Sequence, residues 1–88
     1  MEANKIIITG GATRIGAAIA EKLSGPGKEI VIHFNKSKSN AERLKKELSK
    51  NGTKIYLVKA DLGKEEDINK IIKFAKSKLK YFDCLINN

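Results

Sequence analysis

The sequence predicts an α/β fold in which a parallel β-sheet of about four strands is connected by three helices. Short apolar runs rich in β-branched residues alternate with segments whose apolar residues recur every three or four positions. Strands that alternate with helices of this length indicate right-handed β-α-β crossovers and therefore a parallel sheet. The expected element order is β-α-β-α-β-α-β. The expected strand order is 3-2-1-4, with the first two helices on one face and the third on the other.

The first predicted strand covers 5–9, because the continuous run Lys-Ile-Ile-Ile-Thr suits a strand that is buried on both faces. The first helix is expected from about Thr13 to Leu23, and the Gly-Pro-Gly at 25–27 ends it. Apolar residues recur along it at helical spacing: Ile15, Ala18, Ile19 and Leu23. The chain is therefore expected to begin with a buried strand that leads directly into a helix.

The second predicted strand, at 29–34, is again mostly apolar and is followed by a polar stretch. The second helix is expected to begin near Ser39, because Ser39 and Glu42 have the S-x-x-E spacing in which the two side chains cap each other's backbone N–H groups. Its apolar stripe consists of Ala41, Leu44 and Leu48. The pair Asn51-Gly52 then supplies the left-handed residue that commonly closes a helix.

The third strand is expected at 54–58, with Asp61-Leu62 just past its end, and the fourth at 83–87. Between them a helix is predicted over about 65–79, with acidic residues in its first turn and lysines in its last. One face of this helix carries Ile68, Ile71, Ile72, Ala75 and Leu79. The fourth strand would be an edge without a neighbour, on a partly bare sheet. Residues 1–88 are therefore predicted to be the amino-terminal part of one domain, ending before its second half.

Composition argues against several classes of function. The net charge of +8 comes mostly from lysines scattered over the polar faces of the predicted helices, with few aromatics among them, so nucleic-acid binding is not expected. No apolar run approaches the ~20 residues that span a bilayer, and no signal-peptide core precedes the first strand, so a cytoplasmic protein without membrane contact is expected. The single cysteine, Cys84, has no partner for a disulfide or a metal site.

The segment Thr9-Gly10-Gly11-Ala12-Thr13-Arg14-Ile15-Gly16 connects the first strand to the first helix. A glycine turn in that place allows a pyrophosphate to bind at the helix N-terminus. Gly10 permits the tight turn, and Gly16 lets the helix pack closely and the backbone approach the phosphates. A Walker A loop is excluded, because Ala17 and Ala18 stand where Lys and Ser or Thr are required. The turn therefore predicts dinucleotide binding.

The residues after the second strand favour NADPH over NADH. A domain that binds NAD normally places a carboxylate about 20 residues beyond the glycine turn, where it accepts hydrogen bonds from the ribose 2'-hydroxyl. Here that region offers Asn35, Lys36 and Ser37 and no acid. Lys36 and Arg14 would neutralise a 2'-phosphate through charge-assisted hydrogen bonds. The alternative for Lys36 is a solvated surface lysine.

The glycine turn resembles the T-G-x-x-x-G-x-G motif of the short-chain dehydrogenases, with Arg14 in place of the middle glycine. Within that superfamily T-G-x-x-x-R-[IL]-G resembles the pteridine reductase branch, and His-Phe-Asn-Lys-Ser at 33–37 is similar to the H-x-x-R-S stretch found there. Asp61-Leu62 matches the D-L pair that lies beside the adenine. The final Leu-Ile-Asn-Asn matches the start of the N-N-A motif, which stops here at Asn88.

The resemblance implies a partial Rossmann fold within an NADPH-dependent reductase that transfers hydride to a small-molecule substrate, a pteridine such as dihydrobiopterin or dihydrofolate. The resemblance also implies that the intact enzyme is a homotetramer. The cofactor-binding residues that it implies are Gly10, Thr13, Arg14, Ile15, Gly16, His33, Asn35, Lys36, Ser37, Asp61, Leu62 and Asn88. A 3-oxoacyl-thioester, ketone or sugar reductase of the same superfamily is an alternative. So is a non-catalytic remnant with weak nucleotide binding at most.

Other residues have simpler structural explanations. His33, in a strand without a Ser, Cys or Asp partner, is interpreted as a hydrogen-bonded structural histidine, and Asp61 has the alternative of a local cap. Cys84 is expected to be a small buried hydrophobe. The resemblance implies a catalytic tyrosine in a Y-x-x-x-K motif, but neither Tyr56 nor Tyr81 has Lys four residues later. No catalytic residue is therefore predicted within residues 1–88, and this chain alone is expected to be inactive.

Overall fold

The computed structural model describes residues 4–87, and its strands and helices alternate as the sequence predicts. They are β1 (Lys5–Thr9), α1 (Arg14–Leu23), β2 (Glu29–Phe34), α2 (Lys38–Ser49), β3 (Lys54–Lys59), α3 (Glu65–Leu79) and β4 (Cys84–Asn87). Within this part of the chain no helix combines the length and apolarity needed to cross a membrane.

The four strands form one parallel sheet in the order β3-β2-β1-β4, which confirms the predicted topology. Ile7 of β1 lies between Val31 of β2 and Leu85 of β4. β3 extends one residue further than predicted, to Lys59, and β4 begins one residue later. In a parallel sheet the carboxyl ends of all strands meet at one edge. The segments that follow β1, β2 and β3 are therefore neighbours in space.

Alternate residues of each strand point to opposite faces, so the apolar runs build two separate cores. The first core lies beneath α1 and α2 and contains Ile6, Ile8, Ala20, Ile30, Ile32, Leu44, Leu48 and Ile55, with Cys84 partly buried at its edge. The second lies beneath α3 and contains Ile7, Val31, Val58, Ala60, Ile71, Ala75 and Leu79. Both the predicted placement of the helices and the predicted stripe of α2 are confirmed.

Several large apolar side chains remain exposed. Ile15 of α1 is 67% exposed, and Leu85 of β4 is 57% exposed. Ile68 and Ile72 of α3 are 42% and 44% exposed, so the predicted apolar face of α3 is wider than the face that is buried. The reason is that α3 packs over β2 and β3, and side chains turned away from these strands have no sheet beneath them. In the sheet of residues 4–87, β4 is an edge strand, as predicted.

The predicted start of α2 is wrong. The helix begins at Lys38, its N-cap is Ser37, and no side-chain cap is formed there. The carbonyl of Ser37 accepts the first helical hydrogen bond, from the N–H of Ala41 at 2.9 Å. Two serines in this segment, Ser37 and Ser39, are candidate N-cap residues. The helix begins after the first of them. Ser39 therefore lies inside the first turn, where its side chain does not cap the helix.

Asp83 fastens the beginning of β4 to the beginning of β1. Its Oδ2 accepts hydrogen bonds from the backbone N–H groups of Asn4 and Lys5, both at 3.0 Å, and its own N–H donates to the carbonyl of Lys5 at 2.7 Å. These backbone donors lower the pKa of the Asp83 carboxyl from its ordinary value of 3.8. Because Asp83 closes this end of the pair, the ladder of β4 starts at Cys84.

We expect Asp83→Asn to lower the free energy of unfolding at neutral pH, because the charged acceptor of two backbone N–H groups is lost. A carboxyl whose pKa is lowered on folding stabilises the protein above its unfolded pKa, and that stabilisation disappears as pH falls through the folded pKa. The difference in urea midpoint between wild type and variant is therefore expected to be constant above about pH 5 and to shrink below 3.8.

Glu42→Gln is the matched control, because Glu42 is an exposed carboxylate on α2 that makes no hydrogen bond or ion pair within residues 4–87. Its urea midpoint should follow the wild-type value across the same pH range. A destabilisation by Asp83→Asn that persists unchanged in acid would show that the carboxylate charge is not what fastens β4.

Candidate cofactor-binding site

The glycine turn, residues 10–16, leaves the end of β1 through a backbone conformation that favours glycine. Gly10 has φ +64°, in the left-handed region. At Gly11 a Cβ would come within 2.7 Å of Cγ2 of Ile32, so this glycine lets the turn lie directly on β2. Sequence reasoning gave Gly11 no role, although two consecutive glycines after a buried strand were the signal for a close approach.

Gly16 brings α1 against the turn. A Cβ at this position would lie 2.1 Å from the carbonyl oxygen of Gly10 and 2.7 Å from Cα of Gly11. Both contacts are with backbone atoms, which cannot rotate away as a flexible side chain does. The expectation that Gly16 allows close packing of the helix is therefore confirmed.

Thr13 is the N-cap of α1. Its Oγ1 accepts from the N–H of Gly16 at 3.4 Å and donates to the carbonyl of Gly10 at 2.7 Å. Within residues 4–87 the N–H groups of Arg14 and Ile15 have no hydrogen-bond acceptor. The positive end of the helix dipole and two free donors thus coincide at this turn, and both favour an anionic ligand.

His33 is buried beneath the glycine turn, with 3% of its surface exposed. Its Nδ1 lies 3.0 Å from the backbone N of Gly10, and its Nε2 lies 2.7 Å from the carbonyl oxygen of Ala60. Both ring nitrogens are therefore used by backbone groups. This agrees with the interpretation of a hydrogen-bonded structural histidine, and it leaves neither nitrogen for the direct cofactor contact that the resemblance implied.

A first cleft, called here the strand-end cleft, has a volume of about 360 Å³ and opens beside the turn. It is lined by Gly10, Ala12, Thr13, His33, Phe34, Asn35, Lys36 and Ser37. The structure thus brings together six of the predicted site residues from two separate segments. No carboxylate lines this cleft, as the sequence led us to expect for the end of β2.

Arg14 lines a neighbouring cleft of about 350 Å³ between α1 and α2. The two clefts share Ala12 and Thr13, so Arg14 and Lys36 lie on adjoining surfaces. Arg43 of α2 also lines the inter-helix cleft and was missed, because a single arginine on a lysine-rich helix carries no positional signal. Glu21 and Glu47 line the same inter-helix cleft, so the two arginines are balanced there by two carboxylates.

Asp61 lines a third cleft, of about 280 Å³, together with Asn35, Lys59, Ala60, Lys64, Asp67 and Lys70. Asn35 also lines the strand-end cleft, so the two adjoin. The Oδ1 of Asp61 accepts from the N–H of Gly63 at 2.9 Å, which agrees with its interpretation as a local cap. The N–H of Asp61 donates to Oδ2 of Asp67 at 2.7 Å, a contact six residues apart that sequence spacing did not suggest. The neighbouring Leu62 is 40% exposed.

The end of β4 reaches the same edge of the sheet. Oγ1 of Thr9 lies 3.1 Å from Oδ1 of Asn87 and 3.4 Å from the carbonyl oxygen of Ile86. The predicted site residue Asn88 lies outside the described residues. Among the described ones, no group of three or more His, Cys, Asp or Glu side chains is placed to hold a metal ion.

The family model for short chain dehydrogenases matches residues 4–88. Among curated proteins, the short-chain dehydrogenase/reductase FrzI of Cladobotryum sp is 35% identical over 82 residues, which cover 93% of this chain and 32% of FrzI. The short-chain dehydrogenase/reductase homolog YusS of Bacillus subtilis is 31% identical over 86 residues, which cover 97% of this chain and 79% of YusS. The chain thus spans about a third of the length of FrzI and most of YusS.

Solved structures share the fold. A Burkholderia cenocepacia protein, assigned as a dehydrogenase and crystallised with bound NADP, has a TM-score of 0.87 and 30% identity, over 98% of this chain and 34% of its own. The FolM alternative dihydrofolate reductase 1 of Brucella canis, complexed with NADP, has a TM-score of 0.73 and 33% identity, over 84% of this chain and 30% of its own.

Gly16→Ala tests the close approach between α1 and the turn. Helix propensity alone would make alanine more stable than glycine by about 1 kcal/mol. We expect the opposite, a destabilisation of about 1–3 kcal/mol or more in urea unfolding, because the new Cβ meets the backbone of Gly10 and Gly11.

The control for this prediction is Gly27→Ala. Gly27 has φ +81°, and a Cβ added there would have no atom within 4 Å, so the substitution adds only left-handed strain, about 1–2 kcal/mol. It should leave the amide NMR shifts of residues 10–16 in place, whereas Gly16→Ala should move them. A Gly16→Ala protein more stable than wild type would disprove the close approach.

Proposed function

Because this chain belongs to the short-chain dehydrogenase family, we propose that it forms the NADPH-binding part of a reductase that transfers hydride to a small-molecule substrate. The observation that carries the proposal is the strand-end cleft. It joins the N-terminus of α1 to Asn35, Lys36 and Ser37, and no acid lines it. Arg14 on the adjoining surface adds a second positive charge.

In this proposal the pyrophosphate binds at the N-terminus of α1. The free N–H groups of Arg14 and Ile15 donate to its oxygens, and the close approach at Gly16 keeps the backbone within reach. Donors that are fixed in place before binding gain more affinity than donors that must first be ordered. The nicotinamide supplies the hydride, while these residues supply binding and orientation.

The 2'-phosphate is proposed to lie between Lys36 and Arg14, with Asn35 and Ser37 as neutral donors. Charge-assisted hydrogen bonds to a phosphate are stronger than neutral ones. A carboxylate at this position would accept from a free ribose 2'-hydroxyl but repel a 2'-phosphate. The adenine is proposed to lie beside Asp61 and Leu62, in the cleft that adjoins through Asn35.

The substrate class that we propose is a pteridine, reduced by hydride from NADPH. Arg14-Ile15-Gly16 and the 33–37 stretch support it, since both resemble the pteridine reductase branch. The similarity to FolM, which is named for dihydrofolate reduction and was crystallised with NADP, supports it further. A reductase of 3-oxoacyl thioesters, ketones or sugars is the second candidate, and the 32% identity to glucose 1-dehydrogenase 2 of Bacillus subtilis over 82 residues supports a sugar substrate. Cytoplasmic location and homotetramer assembly remain predictions.

The first prediction from this proposal concerns cofactor preference. NADPH should bind more tightly than NADH, because the hydrogen bonds that the charged groups make to the 2'-phosphate are worth about 1.5–3 kcal/mol, roughly ten- to a hundredfold in affinity. The double variant Asn35→Asp, Lys36→Ala should invert the preference. Part of the wild-type preference should fade with added salt, since Lys36 is exposed at the surface.

Fluorescence titration of both cofactors against wild type and variant measures this preference. Lys45→Ala is the matched control, because it removes one exposed lysine of α2 that lines neither cleft. It should leave the NADPH to NADH ratio unchanged. Equal affinities in wild type, or a ratio that the double variant does not alter, would contradict the assignment of the 2'-phosphate to this cleft.

The second prediction concerns turnover. Residues 1–88 contain no Tyr followed four positions later by Lys, so no proton donor of that kind is present. We therefore expect this chain alone not to oxidise NADPH in the presence of dihydrobiopterin, dihydrofolate or a simple ketone. Absorbance of NADPH, followed against a heat-inactivated control, is the measurement. Turnover above that control would place a proton donor within these residues, and Tyr56→Phe and Tyr81→Phe would then locate it.

A further inference from the structure

His33 is a hydrogen-bonded structural histidine, and the identity of its two hydrogen-bond partners suggests a more specific role. It is buried, it belongs to β2, and its ring reaches past the end of that strand to two other segments. The N–H of Gly10, the first residue of the glycine turn, lies on one side, and the carbonyl of Ala60, the residue before Asp61, lies on the other. One imidazole therefore joins the turn after β1 to the segment after β3.

The chemistry of the two partners determines the form of the ring. A backbone N–H can only donate and a carbonyl oxygen can only accept, so Nδ1 must be the acceptor and Nε2 must carry the hydrogen. This is the neutral imidazole with its proton on Nε2. No other arrangement of hydrogens on the ring satisfies both backbone groups at 3.0 Å and 2.7 Å.

The imidazole adds to the backbone contacts and does not replace them. The carbonyl of His33 already accepts from the N–H of Gly11 at 3.1 Å, and the carbonyl of Phe34 accepts from the N–H of Ala60 at 3.0 Å. These bonds hold the three segments together at the sheet edge. The ring adds a further cross-link between the same segments, so we expect the backbone pairing to persist when the ring is removed.

We propose that His33 is a positioning residue of the cofactor site, whose neutral imidazole holds the glycine turn and the Asp61 segment at a fixed separation, so that the pyrophosphate and adenine ends of the nucleotide are bound as one unit. This inference rests on the proposed function, since the two segments are the ones assigned there to the pyrophosphate and the adenine. The ring does so from beneath the site and makes no nitrogen contact with the ligand.

The spectroscopic test uses the wild-type chain without ligand. With ¹⁵N labelling, the N–H···N bond should give a scalar coupling between the Gly10 amide nitrogen and Nδ1 of His33, and Nδ1 should have the shift of an unprotonated ring nitrogen. A ring proton on Nδ1, or the absence of this coupling, would overturn the proposal. Neither result depends on whether the chain binds NADPH.

The binding test compares two substitutions with a control. His33→Phe keeps the bulk of the ring and removes both hydrogen bonds, so NADPH affinity should fall roughly ten- to a hundredfold at two lost bonds. His33→Asn retains an amide that can serve one of the two partners, so it should recover part of that affinity. Thr53→Val is the matched control, because Thr53 is also buried and bonds the N–H of Gly25 at the opposite end of the sheet.

Thr53→Val should lose stability yet keep the NADPH affinity of the wild type. If His33→Phe binds NADPH as tightly as wild type does, the positioning role is overturned while the proposed NADPH binding stands. If the Phe variant does not fold, His33→Asn is the deciding variant. A reduced NADPH affinity that Thr53→Val does not share supports the proposal, and an unchanged affinity overturns it.

If wild type itself binds no NADPH, the proposed function fails. The positioning role of His33 is then tested by the amide chemical shifts of Gly10 and Asp61. If the ring links the two segments, both shifts should change in His33→Asn; if only one of them changes, the ring does not link them.

Discussion

The candidate site depends on the close approach between α1 and the backbone at the end of β1. Gly16 permits it, since a Cβ there would lie 2.1 Å from the carbonyl oxygen of Gly10. Once the helix begins this close to the strand, Thr13 can cap it by bonding to both Gly10 and Gly16, and within residues 4–87 the next two N–H groups have no acceptor. The same approach fixes α1 on the first core. The geometry of the phosphate site and the packing of α1 therefore depend on the same contact, and a residue larger than glycine at position 16 would disturb both.

The parallel order of the strands gathers the remaining parts of the site. Because the carboxyl ends of β1, β2 and β3 lie at one edge, the glycine turn, the 35–37 segment and Asp61 become neighbours without any long loop. The strands themselves are buried in two cores, while Lys36 and Arg14 stay exposed at the surface. Electrostatics then distinguish the two cofactors: Lys36 and Arg14 lie on adjoining surfaces, and no carboxylate lines the strand-end cleft to repel a phosphate.

The sequence predicted the strands, the helices and their order. Its predictions were wrong or incomplete where contacts between distant segments determine a helix start, the burial of a side chain or a hydrogen-bond partner. The strands at 5–9 and 29–34 have their predicted bounds, because short apolar runs that are rich in β-branched residues and bounded by turn residues are typical of buried strands. The start of α2 was wrong because the Ser39–Glu42 spacing predicts a capping box, whereas the helix begins directly after Ser37 without any side-chain cap. The burial of Ile68 and Ile72 was overestimated because periodicity gives the direction of a side chain and not the extent of the sheet beneath it.

The contacts within the candidate site could not be predicted from the sequence. The ring contacts of His33 and the hydrogen bond between Asp61 and Asp67 join segments that composition and spacing do not relate.

The most direct test of the central claim is amide chemical-shift mapping of this chain with NADPH and with NADH. The account predicts that NADPH moves the amides of residues 10–16, 35–37 and 61–62, which come from three separate segments at one sheet edge. NADH should move 10–16 and 61–62 while leaving 35–37 nearly unchanged, because it has no phosphate at the ribose 2' position. Shifts centred instead on the opposite sheet edge, at Gly27 and Lys54, or shifts at 35–37 that are the same for both cofactors, would contradict it.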